Sequence, residues 1–164
     1  MPDVVSNFEF LKQHDPVYFQ LASTAEQVFA SDPNTTLMKL RQLGEALAQD
    51  VAARSGITFD DGTNQNDLLY RINREVGLEP GIKQLFHSLR VEGNRATHQF
   101  QTQHKEALDG LKLARALAIW FHRTYTDSKQ TFKPGAFVLP IDPSHQLQQL
   151  QPDIQTLQNQ IVEN

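Results

Sequence analysis

In the segment HSLRVEGNRATHQF, Arg90, Asn94 and His98 recur at intervals of four. On a helix that interval returns to one face, so a guanidinium, an amide and an imidazole would line a single ridge. Such a set can hold an anion, and an imidazole beside a cation can move a proton to or from a bound group. Arg95 follows Asn94 and adds a second guanidinium nearby. Within KLRQLGEAL, Arg41 and Glu45 are spaced i, i+4, the geometry of an ion pair on a helix surface. A packing role competes with these readings and ranks above both. Glu45 can satisfy Arg90 or Asn94 across a helix pair, and Gly93 inside a helix suits close approach of a second one. Arg41, Glu45, Arg90, Asn94, Arg95 and His98 are therefore the candidate binding residues, and Arg90, Asn94 and His98 are the candidates for chemistry.

Other reaction centres are excluded by inspection. There is no GxxxxGK[ST] phosphate loop, no HExxH, no Glu-x-Lys tripeptide and no GxSxG elbow. The six histidines show no metal-ligand pairing on a helix, so no metal is expected. The absence of cysteine removes disulfides, thiolate zinc sites and thiol nucleophiles together. No cofactor is expected in this chain.

The elements that must position the candidates read as helices. The 164 residues are 39% hydrophobic and 21% charged, enough for one modest core. Caps, prolines and apolar spacing predict helices over Ser6–His14, Val17–Ala30, Asn34–Ser55, Asp67–Val76, Ile82 to Ala96 or His98, and Lys105–Thr126. The third carries a stripe of Leu37, Leu40, Leu43, Leu47 and Val51, and Gly56 stops it. The sixth contains LKLARALAIWF, apolar on more than one side, which predicts the deepest burial of the set and a buried Trp120. TFDDGTNQN reads as a loop, and Gly135–Leu139 as a short extended segment. The fold class is all-α, a bundle of about five to six helices.

No run approaches the roughly 18 to 20 apolar residues of a spanning helix, and the N-terminus lacks the pattern of a secretory signal. A cytoplasmic protein without a membrane partner is expected. Charge is uneven around a net −4: residues 1–61 carry four basic and nine acidic groups, and residues 62–133 carry eleven and seven. Arg71, Arg74, Arg90, Arg95, Lys112, Arg115 and Arg123 could form one basic face suited to phosphates, or an ordinary solvated surface.

The last stretch differs in kind. Seven of the 15 residues from Gln146 to Gln160 are glutamine, and Leu147, Leu150, Ile154, Leu157 and Ile161 follow the 3, 4 spacing of a coiled-coil seam. The organisation expected is a helical bundle domain over 1–133 and a linker opening a helical or coiled-coil segment over 134–164. The seam either packs on its own bundle or begins a longer linker.

LMKLRQLGEAL, LLYRINREVGL, IKQLFHSLRVEGNRATH and ALAIWFHRTY, in this order and spacing, resemble a helical domain at the N-terminus of type I restriction endonuclease (R) subunits and related helicases. The resemblance spans roughly residues 5 to 133. It implies a non-catalytic module of a larger ATP-dependent DNA translocase and endonuclease, with ATP and Mg²⁺ used by the parent. It also implies methylation and specificity subunits as partners, DNA reached through the parent, and a coiled-coil linker after the domain. That domain is in turn similar to the HEPN superfamily, whose active ribonucleases carry Arg-Asn-x-x-x-His on one helix. Asn94 and His98 match this pattern, whereas Gly93 stands where the arginine belongs. The alternatives are a stand-alone HEPN-like ribonuclease of a defence system, which needs Arg90 or Arg95 to meet His98 across a homodimer, and an adaptor domain.

Overall fold

A computed structural model of the chain describes residues 5–127 and 131–140. After a 3-10 turn at Glu9–Gln13 come five helices: α1 (Pro16–Gln27), α2 (Pro33–Arg54), α3 (Gln65–Glu75), α4 (Pro80–Gln99) and α5 (His104–Tyr125). Among the described residues there is no strand, and the architecture is the helical bundle expected. The opening segment differs from expectation: Ser6–His14 forms the 3-10 turn and not an α-helix. The turn spans Glu9–Gln13, and extended backbone at His14 ends it before Asp15 and Pro16 start α1. The heptad from Leu147 to Ile161 lies outside the described residues.

Local sequence explains where the helices begin. The Asp15 side chain accepts from the Val17 amide at 3.0 Å and Asp32 from the Thr35 amide at 3.1 Å, with a proline next in each case. Asn64 accepts from Asp67 N at 2.8 Å and starts α3. Gly56, at φ 76°, closes α2 in a left-handed turn that a side chain would strain. The surface loop that follows is turned by Asp60, whose Oδ1 accepts from the Gly62 amide at 2.9 Å.

α2 is the axis of the bundle. It packs against α1, α3, α4 and α5, and its Leu37, Leu40, Leu43, Leu47 and Val51 are all buried. Apolar spacing predicts the deepest burial for the last helix instead. α5 does bury Leu111, Ala114, Leu117 and Phe121, yet it keeps an outer side with exposed Lys112 and Arg123, which no helix among the described residues covers. Trp120 is half-buried, standing edge-on to Phe86 and Tyr125 at the rim, while its neighbour Phe121 fills the core. α2 and α5 approach closely because position 110 is glycine: a Cβ there would lie 2.6 Å from Leu37 Cδ2.

After α5 the chain turns back along it. Phe132 packs on Phe10 and His122, with ring centroids 5.2 and 4.4 Å away, and Phe137 rests on the edge of the core. The segment Gly135–Leu139 has no regular secondary structure and is held by side chains.

Candidate functional site

The candidate residues gather at the crossing of α2 and α4. Gly93 makes that crossing possible. A Cβ at this position would collide with Arg41 Cβ and lie 2.8 Å from its Cγ and Cδ. Arg41 therefore lies flat over Gly93 and reaches along α4. Its Nη1 donates to Asn94 Oδ1 at 2.9 Å and to Thr97 Oγ1 at 3.4 Å. On its own helix, Nε faces Glu45 Oε1 at 3.2 Å, an ion pair rather than an aligned hydrogen bond. Thr97 Oγ1 in turn donates to the Gly93 carbonyl at 2.9 Å.

The structure thus brings Arg41, Glu45 and Asn94 together and separates the others. Glu45 pairs with Arg41, not with Arg90 or Asn94. Among the described residues Arg90 reaches only the ring of exposed His87, at 3.4 Å, and its buried Nε has no hydrogen-bond partner there. Arg95 turns towards α5, paired with Glu92 at 3.1 Å and with Glu106, and it also donates to the Gln101 carbonyl. His98 is exposed, and no hydrogen bond or ion pair engages it. An imidazole needs an orienting partner and a neighbour that acts on the same group before it works as a base. His98 has neither within the described residues.

Several of the basic residues have partners of their own. Arg115 points at backbone carbonyls, Lys112 and Arg123 lie over the rings of Phe137 and Phe132, and Arg74 pairs with Glu75 at 3.3 Å. At the start of α2 an open cleft has Asp32, Asn34, Arg95, Phe100 and Glu106 on its walls, with both signs of charge. Phe100 caps α4 at φ 60° with its ring 79% exposed.

A second polar cluster escaped the sequence reading. His14 Nε2 lies 3.0 Å from His122 Nδ1, and His122 is buried. Desolvation holds both imidazoles below their ordinary pKa; for His14 the neighbouring His122 and Arg54 add to it. Nearby, Tyr18 Oη donates to Asp50 Oδ2 at 2.5 Å, and Arg54 Nε donates to Asp50 Oδ1 at 2.6 Å. Burial, then the Asp50 contact, pushes the Tyr18 phenol far above its ordinary value. The 108 positions between His14 and His122 leave no sequence signal for the pair. Among the described residues no three His, Cys, Asp or Glu side chains are grouped to hold a metal ion, and no helix is long and apolar enough to cross a membrane.

A family model described as a domain of unknown function, DUF4145, matches residues 23–161. The chain belongs to the DUF4145 family. This DUF4145 chain is also 37% identical, over 135 residues and 82% of its length, to the type I restriction enzyme EcoKI endonuclease subunit of Escherichia coli (strain K12). It spans 11% of that relative's length. No solved structure matches the DUF4145 chain. The resemblance drawn from LMKLRQLGEAL and IKQLFHSLRVEGNRATH to restriction endonuclease subunits is thereby borne out.

Proposed function

We propose that the chain is the N-terminal, non-catalytic module of a type I restriction endonuclease subunit, docking partner subunits or nucleic acid. The tie between Arg41 and Asn94 over Gly93 carries the non-catalytic part. The amide that a HEPN-like ribonuclease would use is spent on joining α2 to α4, Gly93 leaves no place for the arginine of that pattern, and His98 stands alone in solvent. The relationship to the EcoKI subunit supports the restriction system as its setting. In that setting the parent would be an ATP-dependent DNA translocase and endonuclease working in the cytoplasm with methylation and specificity subunits. ATP and Mg²⁺ would belong to the parent, as the relationship to restriction endonuclease subunits implies. Arg90, with its unneutralised guanidinium, and His98 are the exposed-side residues available to a docked partner.

The test has two arms. The purified chain, incubated with RNA and with DNA, is expected to cleave neither, and cleavage abolished by His98→Ala would overturn the non-catalytic reading in favour of the ribonuclease. Sedimentation with methylation and specificity subunits, and with duplex DNA over a range of salt, is expected to show one complex. Binding of neither would overturn the docking role.

A further inference from the structure

The segment after α5 is held by an arrangement that the proposed function does not use. Arg115, on the outer side of α5, places one guanidinium between two distant parts of the chain. Its Nε donates to the Asn7 carbonyl at 3.2 Å, and its Nη2 donates to the carbonyls of Pro134 and Gly135 at 2.6 and 3.0 Å. Asn7 then grips the same segment with its side chain. Nδ2 donates to the Val138 carbonyl at 2.7 Å, and Oδ1 accepts the Val138 amide at 2.8 Å, as a neighbouring strand would. From the other side Glu26 of α1 accepts from the Asn7 amide at 3.0 Å and from Nδ2 at 2.9 Å. Asn7 is buried, and each of its polar groups is satisfied.

We propose that Phe132–Val138 is a detachable strap, and that its docking through Arg115 and Asn7 locks the opening turn of the chain and the segment after α5 into one unit. Detachability follows from how little of the core the strap supplies. Phe137 is only a partly buried neighbour of a core whose buried members, among the described residues, lie between Phe8 and Phe121. Val138 is 61% exposed, and Phe132 and Phe137 are the strap's apolar anchors. A segment with few buried apolar contacts opens at a lower free energy than the helices beneath it. Coupling follows from hydrogen-bond accounting. Lifting the strap leaves Arg115 Nη2 and the buried Asn7 Oδ1 without partners and Asn7 Nδ2 with Glu26 alone, so the turn that presents Asn7 reorganises with it. These contacts lie within the chain and hold whatever the activity of the parent protein.

Amide exchange by NMR on the full 164-residue chain tests it. The Val138 amide is expected to be protected, yet to exchange faster than Leu117 and Phe121 of α5. In Arg115→Gln, exchange at Val138 and at Leu11 and His14 of the opening turn should rise together, at least tenfold, while Leu117 and Phe121 hold. Phe132→Ser, which leaves Arg115 in place, should reproduce the pattern and decides the matter alone if Arg115→Gln does not fold. An unprotected Val138, exchange in step with Leu117, or a faster Val138 without change at Leu11 and His14 would each overturn the proposal.

Discussion

Gly93 lies directly beneath the side chain of Arg41, and the space a methyl group would need is already filled by Arg41 Cβ, Cγ and Cδ. Both helix backbones are anchored there, because Arg41 is held at its far end by Asn94 and Thr97. Gly93→Ala must therefore push α2 and α4 apart or swing Arg41 off its partners. A loss of about 1–3 kcal/mol is expected, typical of overpacking. Gly81→Ala is the control: it lies near the start of the same helix, and its added methyl would meet nothing within 4 Å. It should change stability by less than about 0.5 kcal/mol or raise it slightly. Equal denaturation midpoints for the two variants would contradict the close crossing.

Asn94→Ala removes the nearer of the two acceptors of Arg41 Nη1 while leaving Thr97, the Glu45 ion pair and the backbone intact. Arg41 keeps 29% of its side-chain surface exposed, so water can replace part of what is lost. The expected cost is about 0.5–1.5 kcal/mol. His98→Ala, at an exposed residue with no partner among the described residues, should lie within about 0.5 kcal/mol of the parent. Chemical denaturation of both variants reads the difference, and a larger loss in His98→Ala would reverse the assignment of roles.

Phe121→Ala should destabilise more than Trp120→Ala, despite the larger indole. Phe121 is fully buried, in ring contact with His14, Tyr18 and Tyr125, and its truncation should cost about 3–5 kcal/mol. Trp120 stands at the rim and its truncation should cost below about 3 kcal/mol. Thermal melts of the two variants give the order directly.

The His14–His122 pair gives stability a pH dependence with a definite sign. Both imidazoles are held below their ordinary value in the folded chain, whereas in the unfolded chain they take up protons near pH 6.5. The unfolded state therefore binds more protons as pH falls through that value, and folding loses free energy. Stability should be flat above about pH 7 and should decline as pH falls below it. His122→Phe keeps a ring against Phe10 and Phe132 and should flatten the decline. A melting temperature that rises on acidification would be the wrong sign.

What can be read from the sequence follows from the range of each interaction. Helix positions are legible because caps and apolar stripes act within a few residues: Asp32-Pro33 and the leucines from Leu37 to Leu47 define α2 from one segment alone. Gly93 is legible as a packing glycine for the same reason, since a glycine at mid-helix has few other uses. Which residue lies over it is not, because Arg41 is more than fifty positions away. Sequence reasoning offers Glu45 to Arg90 or Asn94, yet its own i−4 neighbour claims it first. Asn7 with Val138 and His14 with His122 are contacts across almost the whole chain, fixed by how α5 returns past the opening turn, and no local pattern encodes that return.

The loop between Ile57 and Asn64 joins α2 to α3 on the surface of the bundle. Asp61 there is exposed, and the chain has no cysteine of its own. A single Asp61→Cys substitution would give one unique thiol on the exposed loop between α2 and α3. A dye placed there could follow the domain's tumbling, or its distance from a labelled partner, without a competing label elsewhere.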